Sequence, residues 1–172
     1  MELHPPRFWR AAALIAAALF AFTLLMEDNM AQADQKTPTP ADYAAVEQAI
    51  NNVIGWAIDK DFDRFFATLA DDSKFISVTP YARVKFGIDE VKADTGFWAS
   101  PDFKAVGHEL HDLRIHFSES GEVAWFYCVL DDWNEWKGQP ANWLNCRWTG
   151  VLEKRAGVWR LVQQHYSWAK ER

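Results

Sequence analysis

Cysteine is scarce in this chain of 172 residues, which contains only Cys128 and Cys146. Neither belongs to a CxxC pair, and the chain shows no plausible set of zinc ligands and no reactive-cysteine pattern. A hairpin that turns near Lys137 and Gly138 would place the two cysteines opposite each other on neighbouring strands. The sequence leaves two alternatives open, a disulfide or two small buried hydrophobic side chains.

Positive charge is also in short supply. The 18 Lys and Arg residues are outnumbered by 24 Asp and Glu residues, which gives a net charge of −6, and the basic residues are scattered along the chain. A protein that binds the phosphate backbone needs a basic patch or stripe, so no nucleic-acid partner is predicted. A Gly-rich phosphate loop and a Ser-His-Asp pattern are absent from the sequence as well.

No apolar run reaches the length of about 20 residues that a membrane-spanning helix needs. Residues 11–26 form a shorter apolar run, preceded by Arg7 and Arg10 and followed by Ala31-Gln32-Ala33. This pattern predicts a signal peptide over residues 1–33 and a periplasmic or secreted protein that is not stably inserted in a membrane after cleavage. The alternative is an uncleaved anchor. Residues 34–42, with Pro38 and Pro40, are predicted to form a disordered lead-in.

Aromatic residues are plentiful, with ten Trp and twelve Phe in the chain, so residues 43–168 can bury an ample core as one domain. Helical periodicity predicts helices over residues 43–59, 62–69 and 88–98, the first capped by Asp42. Alternating and β-branched runs predict a strand at 74–78 and four longer strands after residue 103. The predicted class is α+β, with the order α-α-β-α-β-β-β-β.

The last two predicted strands flank Arg155-Ala156-Gly157, where Gly157 supplies the positive φ of a short hairpin loop. Folding about Ala156 would place Arg147 opposite His165. Because strand side chains alternate, five polar side chains then share one face. They are Arg147, Thr149, Gln163, His165 and Ser167. So many polar groups do not suit a core face, and we interpret them as the lining of a pocket.

Four segments carry a resemblance to a known family: residues 86–91 (FGIDEV), 147–149 (RWT), 157–162 (GVWRLV) and 165–167 (HYS). In this order and spacing, the chain resembles the SnoaL-like branch of the nuclear transport factor 2-like superfamily over residues 43–168. The resemblance implies a cone-shaped, curved, mixed or antiparallel sheet with three N-terminal helices. It also implies a cavity at the concave face, as in ketosteroid isomerase and polyketide cyclases.

Extending the strand pairing adds further candidates to the predicted pocket. Glu109 would lie beside Asp131 and His111 beside Val129, while Tyr127 would lie opposite Arg147. The added ligand-binding candidates are Glu109, His111 and Trp125. The catalytic candidates are His165, Tyr127 and Asp131.

His165 is the predicted acid–base group, because imidazole titrates near neutrality. The alternative is a structural histidine that is hydrogen-bonded to Ser167 or Tyr127. Arg147 would bind an anionic ligand, or pair internally with Glu109 or Asp131. Tyr127 could donate to an oxyanion. Asp131 resembles in type the catalytic carboxylate of ketosteroid isomerase.

No metal and no other cofactor is predicted. His108 and His111 lie close together in the sequence, but positions three apart on a strand point to opposite faces. The other face of the sheet carries Phe126, Cys128, Leu130, Trp148, Leu152, Val162, Tyr166 and Trp168. This apolar patch predicts a homodimer, joined through the Trp148 and Tyr166 side of the sheet.

The predicted function is that of an exported small-molecule pocket protein. It would act as a cofactor-free isomerase, cyclase or hydrolase-like enzyme on a small, partly apolar, anionic ligand. The alternative is a non-catalytic binding or assembly module in which the polar groups of the pocket satisfy one another.

Overall fold

The computed structural model describes residues 37–170, and the predicted signal peptide therefore lies outside the described residues. The first helix, α1 (Pro40–Gly55), starts within the segment predicted as a disordered lead-in. Thr39 caps it and forms a capping box with Asp42, and Pro40 occupies the first turn, where a missing N–H costs nothing. The N-cap of this helix is therefore Thr39, and not Asp42 as the sequence analysis predicted. Within residues 37–170, no helix is long and apolar enough to cross a membrane.

The remaining helices are short. A 3₁₀ turn (Trp56–Ile58) continues α1, and α2 (Phe62–Thr68) follows with Asp61 as its N-cap. The predicted third helix is divided into α3 (Ile88–Lys92) and α4 (Thr95–Ala99). Gly87, with a φ of 79°, precedes α3. Together these helices cover one face of the sheet.

Seven strands form the sheet. They are β1 (Ile76–Val78), β2 (Val84–Phe86), β3 (Phe103–Phe117), β4 (Val123–Trp136), β5 (Gln139–Pro140), β6 (Trp143–Arg155) and β7 (Val158–Ser167). The strand order is β2-β1-β7-β6-β4-β3, with β5 paired to β4. Among the pairings between these strands of the described residues, only that of β1 with β7 is parallel. This strongly curled mixed sheet with its N-terminal helices confirms the predicted α+β cone.

The final hairpin turns at Ala156 and Gly157, which both have positive φ, as a two-residue loop requires. Arg155 pairs with Val158, and an extra residue at Val162 then shifts the register between β6 and β7. Arg147 therefore lies opposite Ser167, and not opposite His165 as predicted. The pairing register therefore differs from the prediction by two residues. Because side chains alternate between the two faces with a period of two, all five polar side chains still share one face.

The pairing of β3 with β4 agrees with the sequence analysis, because Glu109 lies beside Asp131 and His111 beside Val129. The pairing of β4 with β6 differs by two residues, since Tyr127 lies opposite Thr149 and Cys128 opposite Trp148. Cys128 and Cys146 are consequently offset from each other. Both thiols are free and buried, and burial raises the pKa of Cys128 to about 12 and that of Cys146 to about 11.

The core lies on the apolar face of the sheet, beneath the helices. Trp148 has no exposed surface, and its ring stacks on Tyr166 at a centroid distance of 5.2 Å. The helices contribute Val46, Ile50 and Phe65 to the same cluster. The prediction that Trp148 and Tyr166 form a dimer interface is therefore wrong. Burying this face within the single chain removes its apolar area from water without a second subunit.

Candidate functional site

A cavity of about 320 Å³ lies between the helices and the concave face of the sheet. Nine of the twenty residues that line it are aromatic, and the rings come mainly from α2, α4, the 3₁₀ turn and four strands. They are Trp56, Phe65, Phe97, Trp98, Phe103, Trp136, Trp143 and Tyr166, together with Tyr81 of the β1–β2 loop. Tyr81 is 61% exposed and Phe97 is 49% exposed, so these two rings mark where the cavity meets solvent. The volume of the cavity and its lining are typical of sites that bind small molecules.

Asp132 supplies a carboxyl group to this aromatic wall. A register shift between β4 and β6 occurs just before it, between Leu130 and Asp132. Asn134 Nδ2 donates a hydrogen bond of 2.8 Å to Asp132 Oδ2. Burial raises the pKa of Asp132 to about 6, and the hydrogen bond from Asn134 opposes that rise. A carboxyl with this pKa can accept and return a proton near neutral pH.

Asn134 is itself held in place from the β4–β6 connection. Its backbone N–H donates to Asn142 Oδ1 at 2.9 Å, and its carbonyl accepts from the backbone N–H of Ala141 at 2.7 Å. The Asn134 side chain is buried and lines the cavity. Because both backbone groups are bonded, the amide that contacts Asp132 sits on a rigid support.

A second polar group of the cavity wall consists of three side chains from β1 and β7. Tyr166 Oη donates to Gln164 Oε1 at 2.9 Å, and Gln164 Nε2 donates to Ser77 Oγ at 3.0 Å. Burial raises the pKa of Tyr166 well above its usual value, and the negative charge of Asp132 adds to the effect. Tyr166 is therefore a neutral hydroxyl at physiological pH.

Lys85 is the one basic side chain that lines the cavity among residues 37–170. Its ammonium group forms a salt bridge with Asp94 at the start of α4 and lies 5.3 Å from the centroid of the Trp98 ring. Asp94 neutralises the positive charge locally. The cavity consequently offers a bound molecule no unpaired cation.

The site residues predicted from sequence lie on the opposite, outer face of the sheet. This set comprises His165, Tyr127, Asp131, Arg147, Thr149, Gln163, Ser167, Glu109, His111 and Trp125, and none of them lines the cavity. They do share one face, as predicted, but their placement in the cavity was wrong. Polar side chains can remain solvated, whereas the alternate apolar side chains must be covered, so the helices pack on the apolar face.

The contacts of these side chains are those of a surface. Arg147 donates to the backbone carbonyl of Trp168 at 3.0 Å, and not to Glu109 or Asp131, the carboxylates considered as its internal partners. Asp131 accepts from the backbone N–H of Asn145 at 2.7 Å. His111 Nε2 lies 3.2 Å from Asp131 and 3.7 Å from Glu109.

An open depression on the outer face includes four of the predicted residues: Thr149, Gln163, Trp125 and Tyr127. His116 stacks beside Trp125 there, with a centroid distance of 5.9 Å. The depression does not include His165 or Arg147, so it does not assemble the predicted acid–base group with the predicted ligand-binding cation.

Within residues 37–170, no three His, Cys, Asp or Glu side chains are grouped so that they could hold a metal ion. His108 and His111 point to different sides of β3. His108 faces the helices, where its ring lies 3.3 Å from Asn51 Oδ1 and burial lowers its pKa. His111 is on the outer face.

Sequence reasoning missed Asp132, Asn134, Gln164 and Ser77 as site residues. A usable signal was present in β4, where the period-two apolar series through Cys128 and Leu130 continues into Asp132 and Asn134. Polar residues that continue a buried series are candidates for a cavity wall. Ser77 and Gln164 gave no comparable signal, because the short parallel pairing of β1 with β7 brings them together.

A family model described as the SnoaL-like domain matches residues 46–171. This match covers both groups of polar residues in the cavity and nearly all of the described chain. In a search of curated proteins, no sequence matches significantly.

Solved structures share the fold at low sequence identity. A nuclear transport factor 2-like protein of unknown function from Pseudomonas putida KT2440 is 18% identical, with a TM-score of 0.60 over 78% of this chain and 92% of that one. A structure from Streptomyces avermitilis, provisionally named a dehydratase of the same family, is 20% identical, with a TM-score of 0.61 over 77% and 100%. A provisionally named Ca/calmodulin-dependent kinase II association domain from Exiguobacterium sibiricum 255-15 is 9% identical, with a TM-score of 0.62 over 80% and 99%. These identities indicate a shared fold only.

Proposed function

The chain belongs to the SnoaL-like domain family, and from this premise we propose that it acts on a small, largely apolar molecule by proton transfer through Asp132. One observation carries the proposal: a partly buried carboxyl with a pKa of about 6 lies in the wall of a cavity rich in aromatic side chains. Enzymes that move protons at neutral pH use groups tuned to this range. The reaction class is an isomerisation, cyclisation or elimination in which one carboxylate removes and returns a proton.

The proposed ligand is uncharged, which departs from the anionic ligand predicted from the sequence. That prediction depended on Arg147, and Arg147 lies outside the cavity. Inside it, Lys85 is paired with Asp94, and an ionised Asp132 would repel an anion. A neutral molecule with apolar surface for the aromatic wall fits these groups best. The absence of a cofactor from the reaction stays a prediction.

The non-catalytic alternative is less well supported. An internally satisfied pocket would have its polar groups paired and its volume filled, whereas this cavity is open and Asp132 has one side-chain hydrogen-bond donor among the described residues, Asn134. The name of the association domain from Exiguobacterium sibiricum refers to assembly, but at 9% identity it shares the fold alone. The enzymatic proposal therefore stands first.

A matched pair of variants tests the proposal. The probe is 5-nitrobenzisoxazole, whose ring opens to a coloured phenolate when a base removes its carbon-bound proton. We expect the wild-type protein to accelerate this reaction and Asp132→Asn to lose the acceleration by about 100-fold or more. Asp131→Asn, which alters the adjacent carboxylate on the outer face, should retain it. Equal rates in wild type and Asp132→Asn would contradict the role of Asp132.

We also propose that the protein is exported and that its mature form begins at Asp34. The support is the sequence alone: Arg7 and Arg10 before the apolar run, and Ala31-Gln32-Ala33 after it. N-terminal sequencing of the protein from the periplasm or medium should start at Asp34. Recovery of a chain that retains residues before Ala31 would contradict cleavage at this position.

A homodimer remains a proposal, now through the outer face of the sheet. Trp125 is 45% exposed and Tyr127 is 37% exposed on adjacent alternate positions of β4. His116 extends this aromatic surface on β3. Large exposed rings of this kind are typical of interaction surfaces.

A further inference from the structure

Lys85 and its neighbours show how the wall of the cavity accommodates an ammonium group. The Nζ atom of Lys85 lies over the ring of Trp98, 5.3 Å from its centroid, and forms a salt bridge with Asp94. Lys85 and Trp98 both line the cavity, and the Lys85 side chain is only 12% exposed. The ring and the carboxylate together replace the water that this ammonium group loses on burial.

Asp132 and Trp143 bring a carboxylate and an aromatic ring together at another part of the same wall. The two residues lie opposite each other on β4 and β6, and both line the cavity. The Trp143 ring is steeply inclined to two further rings of the lining, at 66° to Tyr81 and at 70° to Tyr166, with centroid distances of 5.9 Å and 5.3 Å. Aromatic rings grouped in this way are the recognition element for quaternary ammonium ions.

The ionised carboxylate of Asp132 has no cationic partner within residues 37–170. Burial and the hydrogen bond from Asn134 set its pKa, and no Lys, Arg or His contributes. The other titratable groups near it on this face carry no positive charge at pH 8. Cys146 and Tyr166 are neutral acids with raised pKa values, and burial lowers the pKa of His108, which lies opposite Asp132 on β3. A cation bound beside Asp132 would therefore compensate an unpaired charge.

We propose that the cavity also binds small organic ammonium ions, held by the Asp132 carboxylate and the Trp143 ring, and that these ions inhibit the reaction of the neutral substrate. A substrate must leave the carboxylate free to accept a proton. An ammonium ion instead holds the carboxylate in its ionised form and makes it a weaker base, so it is an inhibitor and not a substrate. The inhibition rests on the proposed function of Asp132, whereas the binding does not.

The lining of the cavity favours an organic ammonium ion over a metal ion. A hard metal cation takes six or more oxygen ligands, and within residues 37–170 no three His, Cys, Asp or Glu side chains are grouped to hold one. An alkylated ammonium ion needs no such ligand set, because its methyl groups contact aromatic rings directly. The cavity volume of about 320 Å³ is ample for a trimethylammonium group with a short chain.

Choline and 3,3-dimethyl-1-butanol test the proposal, because they have the same shape and differ only in the charged nitrogen, which is a carbon atom in the alcohol. At pH 8, we expect the wild-type protein to bind choline about tenfold more tightly than the alcohol in calorimetric titrations. Only about a tenth of Asp132 is ionised at pH 5. The affinity for choline should therefore fall about tenfold between pH 8 and pH 5, while the affinity for the alcohol should not change.

Two variants with matched controls separate the carboxylate from the ring. Asp132→Asn should reduce the preference for choline at pH 8 to about twofold or less and abolish its pH dependence, whereas Asp131→Asn should behave as wild type. Trp143→Leu keeps an apolar side chain but removes the ring, so it should weaken the binding of choline about fivefold more than that of the alcohol. Its control is Trp133→Leu, on the outer face of β4. Thermal melts check that all four variants are folded.

Choline should also inhibit the reaction of 5-nitrobenzisoxazole competitively, with an inhibition constant that matches its dissociation constant. The proposal is overturned if wild type binds the two probes equally or binds neither, if Asp132→Asn keeps the preference, or if bound choline leaves the rate of proton transfer unchanged. A preference for choline that depends on Asp132, without any proton transfer, would sustain the binding and contradict the proposed function. Proton transfer through Asp132 with equal binding of the two probes would contradict this inference alone.

Discussion

Asp131 and Asp132 are adjacent in the sequence but have their carboxyl groups on opposite faces of β4. Asp132 accepts from Asn134 inside the cavity, whereas Asp131 accepts from the backbone N–H of Asn145 and lies near His111 on the outer face. The pKa of Asp132 is raised by burial to about 6. The two residues form a natural pair for experiments, since one is the control for the other.

The first prediction concerns the pH dependence of proton transfer. The rate with 5-nitrobenzisoxazole should rise with pH to a plateau, with a midpoint near 6, because the ionised form of Asp132 is the base. Asn134→Ala removes the hydrogen bond that lowers this pKa, so the midpoint should move up by about one pH unit. A pH–rate profile measures both values. Asp131→Asn should leave the midpoint unchanged, and an unshifted Asn134→Ala profile would contradict the role of Asn134.

The second prediction concerns stability. The pKa of Asp132 is about 6 in the folded protein and 3.8 ordinarily, so the folded state binds the proton more tightly. Stability is therefore lost as pH rises from about 4 to 6, and ionised Asp132 costs on the order of 1–3 kcal/mol above that range. Asp132→Asn removes this cost and should raise the unfolding free energy at pH 8 but not at pH 4. Denaturant titrations at both pH values measure the unfolding free energy. An equal change in this free energy at pH 4 and pH 8 would argue against a raised pKa of Asp132.

The third prediction concerns Gly150 on the core side of β6. A Cβ atom there would lie 2.6 Å from Phe126 Cε1 and 2.8 Å from the carbonyl oxygen of Gln163. Because the second contact is with backbone, Gly150→Ala should destabilise the fold by about 1–3 kcal/mol or more. Gly107→Ala in β3 is the control, since nothing lies within 4 Å of its Cβ position. Chemical denaturation compares the two, and equal stabilities would contradict the tight packing at Gly150.

The fourth prediction concerns assembly. If the outer face joins two subunits, Trp125→Glu should convert the dimer to a monomer with little change in the melting temperature of the fold. Trp148→Glu should instead unfold the protein, because Trp148 is fully buried in the core of one chain. Sedimentation at micromolar concentration measures the state of assembly. A monomeric wild type would remove the proposal.

The α+β class, the N-terminal helices and the four long C-terminal strands could be predicted from the sequence, because helix and strand periods are local properties, whereas the short strands β2 and β5 were not predicted. The predicted first and last residues of the helices were less accurate. Pro40 begins α1 instead of preceding it, and the segment between Ile88 and Ala99 contains two helices. The pairing register of β6 with β7 was displaced by two residues. One comes from the loop, which contains only Ala156 and Gly157, and the other from the extra residue at Val162, which no glycine or proline marks.

What the sequence determined by itself is which side chains share a face of the sheet, since alternation along a strand needs no knowledge of the rest of the chain. Arg147, Thr149 and His165 do lie together, and so do Cys128, Leu130 and Trp148. Only the tertiary structure decided which face the helices cover. That choice follows from the total apolar area removed from water, to which α1 and α2 contribute as well as the strands. It places Asp132 in the cavity and Asp131 outside it.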